Sequence, residues 1–363
     1  MEQLTVNTTQ HSYDIHIGTH AYEKFSTVYR DRLEQADRIA IIADEHVAET
    51  HLDMLTEALT FVSDKMMTKT IPSGEASKTM ATFADCQAFL LQNGCTRKSM
   101  IIAFGGGACG DLAGFVAATF MRGIPFIQCP TTILAHDSAV GGKTAINMPE
   151  GKNMVGAFHQ PDAVLFQTPL FHSLPLREIR SGLAELLKHA FISDEQWTIE
   201  LLANDTFTTP TDEWLASQLL RGIQVKATIV SEDEFEQGTR KYLNFGHTFG
   251  HAIEAACGFG KLSHGEAVMI GMVYSLLISE QLHHTDRTLT DQLIRFLKQY
   301  HYPLQPINDY SFEELYTFMQ KDKKAMDGQV NFVLLNGIGY PFVTSVTKDQ
   351  CKEAFLQLQL RTE

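Results

Sequence analysis

Apolar residues in the first half of the chain come in short, unbroken runs separated by segments of helical spacing. Arg38–Ala43 (R-I-A-I-I-A) ends at Asp44, and Met100–Phe104 is closed by Gly105-Gly106-Gly107. Both read as buried parallel strands, as do the runs near Phe126–Cys129 and Ala163–Phe166. Thr79–Gln92 carries helical periodicity and stops at Asn93-Gly94, a C-terminal cap, and a helical stretch from Asp111 to Phe120 follows the glycines. This alternation predicts an α/β domain with a parallel sheet and helices on both faces.

The pattern changes near residue 170. Arg177–Phe191, Asp212–Ser231, His247–Cys257, His264–His283 and Asp291–Tyr300 all have helical spacing, and no convincing strand returns until Val330–Leu335. The chain therefore divides into an α/β domain over 1–170 and a mainly α-helical domain over 171–363. With no repeat and no biased linker, the two are expected to pack tightly, and clefts between domains favour ligands.

Composition agrees with an ordinary folded protein: 363 residues, of which 44% are apolar. Lys and Arg total 29 against 43 Asp and Glu, a net charge of −14, which repels nucleic acid and anionic membranes. An anionic small substrate then requires cations clustered locally. The start lacks a basic segment followed by an apolar one, so no signal peptide is expected. Ala267–Ser279, the longest apolar run worth weighing, is too short to span a bilayer and reads as a buried helix. Six scattered cysteines without a C-x-x-C read as reduced thiols of a cytoplasmic protein.

Two constellations carry chemistry. Gly105-Gly106-Gly107-Ala108-Cys109-Gly110-Asp111 contains G-x-G-x-x-G between a strand and a helix, where bare backbone can approach a pyrophosphate. The motif is not on the first strand, so the acid for a ribose hydroxyl would be Asp44, which reads equally well as a helix N-cap. Ser73-Gly74-Glu75-Ala76-Ser77-Lys78 adds a small polar loop. Second, His247 and His251 stand four apart on one helical face, His264 opens the next helix, and Glu185 lies on an apolar one. Two nitrogens and one oxygen with an open fourth position suit a catalytic divalent metal such as Zn²⁺. Spacing leaves the choice of histidines open, and Glu185 could instead pair with Lys188.

Basic residues also sit in Gly-, Asn- or Thr-containing segments: Arg122, Lys143, Lys152, Lys188, Lys226, Arg240 and Lys323-Lys324. Such cations can converge on carboxylate or phosphate groups. Gly141-Gly142-Lys143-Thr144 looks like the end of a P-loop, but the required earlier glycine is Ser138, which excludes ATPase chemistry. No G-x-S-x-G elbow is present.

Several blocks in one order resemble the 3-dehydroquinate synthase family. They are the glycine turn with Asp111, Pro130-Thr131-Thr132, Asp137–Lys143, Gly151-Lys152-Asn153, Leu174-Pro175, Ala184-Glu185-Leu-Leu-Lys188, Leu243-Asn244-Phe-Gly-His247-Thr-Phe-Gly-His251 and His264-Gly265-Glu266. The resemblance runs from the first strand to Asp322-Lys323-Lys324, nearly the whole chain. It implies a homodimer with an NAD-binding domain and a metal-binding domain. The implied reaction turns 3-deoxy-D-arabino-heptulosonate 7-phosphate into 3-dehydroquinate and phosphate, by NAD-recycling oxidation, elimination, reduction and aldol closure. By the same resemblance, Glu185, His247 and His264 hold Zn or Co, and His251 belongs to the substrate. Asp44, Ser73, Gly74, Glu75, Lys78, Gly106, Gly107, Gly110, Asp111, Thr131, Thr132 and Ser173 hold NAD, with Lys143 and Lys152 between cofactor and substrate. Asp137, Asn153, Lys188, Lys226, Arg240, Asn244 and Lys324 surround the substrate, and Arg122 reaches its phosphate from the second subunit. Two departures stand out. Ile133-Leu-Ala-His136 is one residue shorter than the family form, and Ser173 replaces a common threonine. The rival readings are a polyol dehydrogenase that releases NADH, another sugar-phosphate cyclase, and a non-catalytic nucleotide-binding protein.

Overall fold

The computed structural model describes residues 1–8, 11–234, 238–258, 260–322 and 329–363, without the side chains of 321 and 322. Eleven strands are present among them: β1 Glu2–Asn7, β2 Ser12–Gly18, β3 Ile39–Asp44, β4 Met66–Ile71, β5 Met100–Gly105, β6 Phe126–Pro130, β7 Lys143–Met148, β8 Gly151–Phe158, β9 Ala163–Gln167, β10 Val330–Leu335 and β11 Pro341–Val346. Contacts divide the chain into two compact units, Met1–Leu174 with Thr211–Glu234, and Pro175–Pro210 with Phe235–Glu363.

The first unit is built on a seven-stranded sheet in the order β1-β2-β9-β6-β5-β3-β4. Only β1 runs antiparallel to its neighbour; every other pair is parallel. Each residue of β3, β5, β6 and β9 is buried, which explains why these strands read as continuous apolar runs. The two-residue alternation then sorts them by face. Ile39, Ile41 and Ala43 join Ile102, Phe104 and Ile127 in one core, whereas Ala40 and Ile42 join Ile101, Ala103 and Phe126 in the other. Burying one such Ile or Phe contributes about 1.5–3 kcal/mol, so two such cores firmly hold the ends of the strands in place. The predicted helices appear as Met80–Gln92, capped by Thr79, and Gly107–Thr119.

The helix Asp212–Glu232 lies in the stretch of sequence assigned to the helical domain, but it packs on β1 and β2 and belongs to the first unit. Periodicity identifies a helix without saying which core its apolar face joins. Lys226 therefore also belongs to the first unit. The expected strand Val330–Leu335 is β10; its antiparallel partner β11, the β7–β8 hairpin and the β1 edge strand are features the sequence pattern did not announce.

The second unit is mainly helical, with Leu176–Ser193, Glu195–Leu202, His247–Cys257, His264–Gln281, Arg287–Gln299, Phe312–Asp322 and Lys348–Thr362. Every residue from Gly265 to Ser279 is buried, so the apolar run in the sequence is the central helix of this unit. No helix among the described residues is long and apolar enough to cross a membrane. The six cysteines are all buried and free.

Candidate functional site

In the second unit, three helices supply one cluster. Helix His264–Gln281 starts on a capping box between Ser263 and Glu266, which fixes His264 at its first position. Buried Glu266 also binds Arg177 at 3.3 Å and Arg180 at 2.8 Å, both on the helix that carries Glu185. Helix His247–Cys257 starts from Gly246 at φ +80°. As a result Glu185 Oε1 lies 3.4 Å from His264 Nε2 and 3.7 Å from His247 Nε2. His251 is close by, its ring centroid 5.3 Å from that of His247 and 5.8 Å from that of His264. One nitrogen from each of the three histidines falls within 4.8 Å of the others, so His251 remains within reach of the same point.

The donor set suits a divalent cation. His247 Nδ1 meets the Phe245 carbonyl at 3.1 Å, and His264 Nδ1 meets Glu254 Oε2 at 3.5 Å. These contacts favour the proton on Nδ1 in each ring; neutral His247 then has its Nε2 lone pair toward Glu185, and a metal would displace the Nε2 proton by which His264 meets the same carboxylate. Burial drives the His247 pKa well below its ordinary value and keeps the ring neutral. For His264, burial also opposes the charge, but the hydrogen bonds and charges of Glu185 and Glu254 outweigh it and lift the pKa to about 9. Lys188 forms an ion pair with Glu185, and both are buried. A site with one carboxylate, imidazole nitrogens and a buried ammonium counterion has the composition of a metal centre. Glu254 was missed by the sequence reading, although it lies three residues after His251 and seven after His247, on the same helical face.

Arg240 is buried, Asn244 is partly exposed, and both lie on the short helix Thr239–Asn244 just before Gly246. Lys324 lies outside the described residues.

In the first unit, the carboxyl ends of β3 and β5 are neighbours, and connections leave them in opposite directions along the sheet. That switch point is where open α/β sheets bind ligands. Asp44 ends β3, and a Cβ on Gly105 would stand 3.0 Å from the Asp44 Cβ. Gly106 precedes the helix Gly107–Thr119, whose N-terminus has no side-chain cap. Its first N–H groups suit an anion. The buried Thr131 Oγ1, at the end of neighbouring β6, has no hydrogen-bond partner among the described residues. An uncapped helix start beside an orphaned hydroxyl fits a phosphorylated nucleotide. Gly107 and Gly110 are also closely packed, since a Cβ would reach within 2.7 Å of Ser138 Oγ and Gln128 Oε1 respectively and shift those side chains. A Cβ on Gly106 would stand 3.1 Å from Thr132 Cγ2, which places Thr132 over the turn.

Asp44 is an N-cap, its Oδ1 accepting from the His46 and Val47 N–H groups. The same carboxylate accepts from Ser73 Oγ at 2.7 Å and Gly74 N–H at 3.1 Å, so the capping and ribose readings share one residue. Lys78 is buried and bridges Asp111 at 2.7 Å, Glu75 at 3.7 Å and Asn153 Oδ1. Burial raises the Asp111 carboxyl, and the Lys78 charge opposes the shift. Lys226 pairs with Asp137 at 3.2 Å and also donates to its carbonyl. Lys143 and Lys152 are exposed on the β7–β8 hairpin. Ser173 Oγ donates to the Leu170 carbonyl and meets His51 Nε2 at 2.9 Å, which ties it to the helix that Asp44 caps. Arg122 sits at φ +69° between Met121 at +49° and Gly123 at +115°, a left-handed run that non-glycine residues adopt at some cost.

Residues 68–181 match the family model for the 3-dehydroquinate synthase N-terminal domain, and 182–325 match that for its C-terminal domain. The chain is 51% identical over 351 residues to a 3-dehydroquinate synthase of Lysinibacillus sphaericus (strain C3-41), covering 97% of this chain and 96% of that relative. Among solved structures it is similar to a 2-deoxy-scyllo-inosose synthase complexed with carbaglucose-6-phosphate, NAD⁺ and Co²⁺. That likeness has a TM-score of 0.88 and 26% identity, covering 98% of this chain and 100% of the other. A glycerol dehydrogenase from Schizosaccharomyces pombe shares the fold alone, at 17% identity and a TM-score of 0.63, covering 96% and 89% of the two chains.

Proposed function

The chain belongs to the 3-dehydroquinate synthase family, and on that premise we propose that it converts 3-deoxy-D-arabino-heptulosonate 7-phosphate to 3-dehydroquinate and phosphate, a step of the shikimate pathway. The observation that carries the reading is the convergence of Glu185, His247 and His264 from three helices, each imidazole presenting Nε2 to one carboxylate oxygen. These three would hold Zn or Co. Asp44, Ser73, Gly74, Glu75, Lys78, Gly106, Gly107, Gly110, Asp111, Thr131, Thr132 and Ser173 would hold NAD, together with Lys143 and Lys152. When bound, NAD exchanges hydride with the substrate and the metal acts as a Lewis acid on a substrate oxygen.

The chain's own residues do the rest. Lys188, Lys226 and Arg240 are buried, so their interaction with a bound carboxylate or phosphate is little screened by water. Asp137, Asn153, Asn244 and Lys324 complete the substrate contacts in this reading. His251, beside the metal ligands but not needed as one of them, is assigned the proton transfer near the oxidised carbon. The enzyme is taken to work as a homodimer in the cytoplasm, with Arg122 of one copy reaching the substrate phosphate of the other. The left-handed run at Arg122 supports a functional loop, and six free buried thiols suit a reducing compartment.

The test is phosphate release from the heptulosonate phosphate, with catalytic NAD and added Zn²⁺ or Co²⁺. The expected result is phosphate and 3-dehydroquinate without accumulation of NADH. Stoichiometric NADH would indicate a dehydrogenase, and turnover of a different sugar phosphate alone would indicate another cyclase.

A further inference from the structure

One residue outside the sets above fastens three of their members. Asn147 lies near the end of β7, where the ladder loses its register. Ile146 pairs with Val155 and Met148 with Gly151, so Asn147 faces the stretch Lys152–Met154. A bulge of this kind releases backbone groups from the ladder and re-aims side chains. The Asn147 N–H donates to the Lys78 carbonyl at 2.8 Å. Its Nδ2 donates to Glu75 Oε1 at 2.7 Å, and its Oδ1 accepts the Asn153 N–H at 2.9 Å. Asn153, at φ +56°, accepts in turn from Lys78 Nζ, which closes a ring of contacts.

The chemistry of the two partners selects an amide at this position. An ionised Glu75 only accepts, and the Asn153 N–H only donates, so the residue between them must offer one donor and one acceptor. A carboxylate would keep the bond to Asn153 while setting like charge against Glu75, and an alanine would lose both bonds.

We propose that Asn147 is a positioning residue that couples the cofactor loop, Glu75 and Lys78, to the substrate residue Asn153. The proposal rests on the function proposed above. It says that ordering the loop around a dinucleotide also sets Asn153 for the substrate.

The test uses the full-length, metal-loaded protein and reads the NAD dissociation constant and, at saturating NAD, the KM for the heptulosonate phosphate. Asn147→Ala is expected to raise both, each about tenfold, as expected for losing a hydrogen bond to a charged group and the linked backbone bond. Asn147→Asp should weaken NAD binding about tenfold but leave KM within about twofold, because the bond to the Asn153 N–H survives. In a Glu75→Gln background, where the new amide can donate to the new carboxylate, Asn147→Asp should cost no more than about twofold in NAD affinity. An equal cost in both backgrounds, or unchanged constants in Asn147→Ala, would overturn the coupling. That result would leave the proposed function standing, whereas failure of the unaltered protein to bind NAD would remove both.

Discussion

Gly271 packs against Gly246 backbone to backbone: a Cβ at residue 271 would stand 1.8 Å from the Gly246 carbonyl oxygen. A Cβ on Gly265 would likewise come within 2.0 Å of the Ser181 carbonyl. These two contacts set the spacing of the three helices that carry the proposed ligand set. His247 follows Gly246, His264 precedes Gly265, and Glu185 lies one helical turn beyond Ser181. Gly271→Ala is therefore expected to push two of the helices apart, destabilising the protein by about 1–3 kcal/mol and weakening metal binding. Urea unfolding and Zn²⁺ competition against a chelator check it. Unchanged metal affinity would mean that helix spacing does not set the ligand geometry.

The second prediction concerns the counterion of Glu185. Glu185 and Lys188 are both essentially inaccessible to water. Without metal, Lys188 and the His264 imidazolium together compensate this carboxylate, and removing one partner of a buried pair costs up to about 3–5 kcal/mol. Lys188→Met should therefore lower the Tm of the metal-free protein, and Zn²⁺ should raise it by more than in the unaltered chain, because the metal supplies the missing charge. Equal metal-induced shifts in the two proteins would contradict the pairing.

Glu254 supports the third. Its carboxylate meets Nδ1 of His264, the nitrogen opposite the one that faces Glu185 and would take the proposed metal. Partners of this kind orient a ligating histidine, and losing one typically costs about 10–100-fold in metal affinity. Glu254→Ala should show that loss in a Co²⁺ titration while NAD affinity is unchanged. Equal losses of Co²⁺ and NAD affinity would point to general unfolding instead.

How much of this was legible in the sequence follows from the physics of each element. β3 and β5 were readable because both faces are buried, leaving an apolar run that needs no partner to be recognised. β8 was not, because Lys152, Asn153 and Met154 are exposed and its pairing is interrupted by a bulge at Asn147 in the adjoining strand. The helix Asp212–Glu232 shows its period but not its destination among cores. The histidine spacing drew attention to the ligand cluster, yet spacing could not choose between His251 and His264, and the geometry keeps all three close. Asn147 left no trace, since its role consists of three hydrogen bonds, two of them to the loop at Glu75 and Lys78, far earlier in the sequence.

The last prediction is one of pH. His16, on β2, is fully buried, with the edge of the Tyr29 ring against it at 6.1 Å. Neither ring nitrogen has a hydrogen-bond partner among the described residues. Burial lowers its pKa below 6.5, with Asp14 opposing and Lys24 reinforcing the shift. The folded chain thus binds this proton more weakly than the unfolded chain does. The stability associated with neutral His16 is complete above pH 6.5 and is lost as the pH falls toward the lower folded value. His16→Leu fills similar space without a titrating group or orphaned nitrogens, so it should flatten the pH dependence and leave the protein more stable in acid. Urea midpoints at pH about 7.5 and about 5.5 provide the check, a range in which histidine is the side chain that ordinarily titrates. The unaltered protein should lose more stability between these pH values than the variant does, and parallel losses would show that His16 does not drive acid sensitivity.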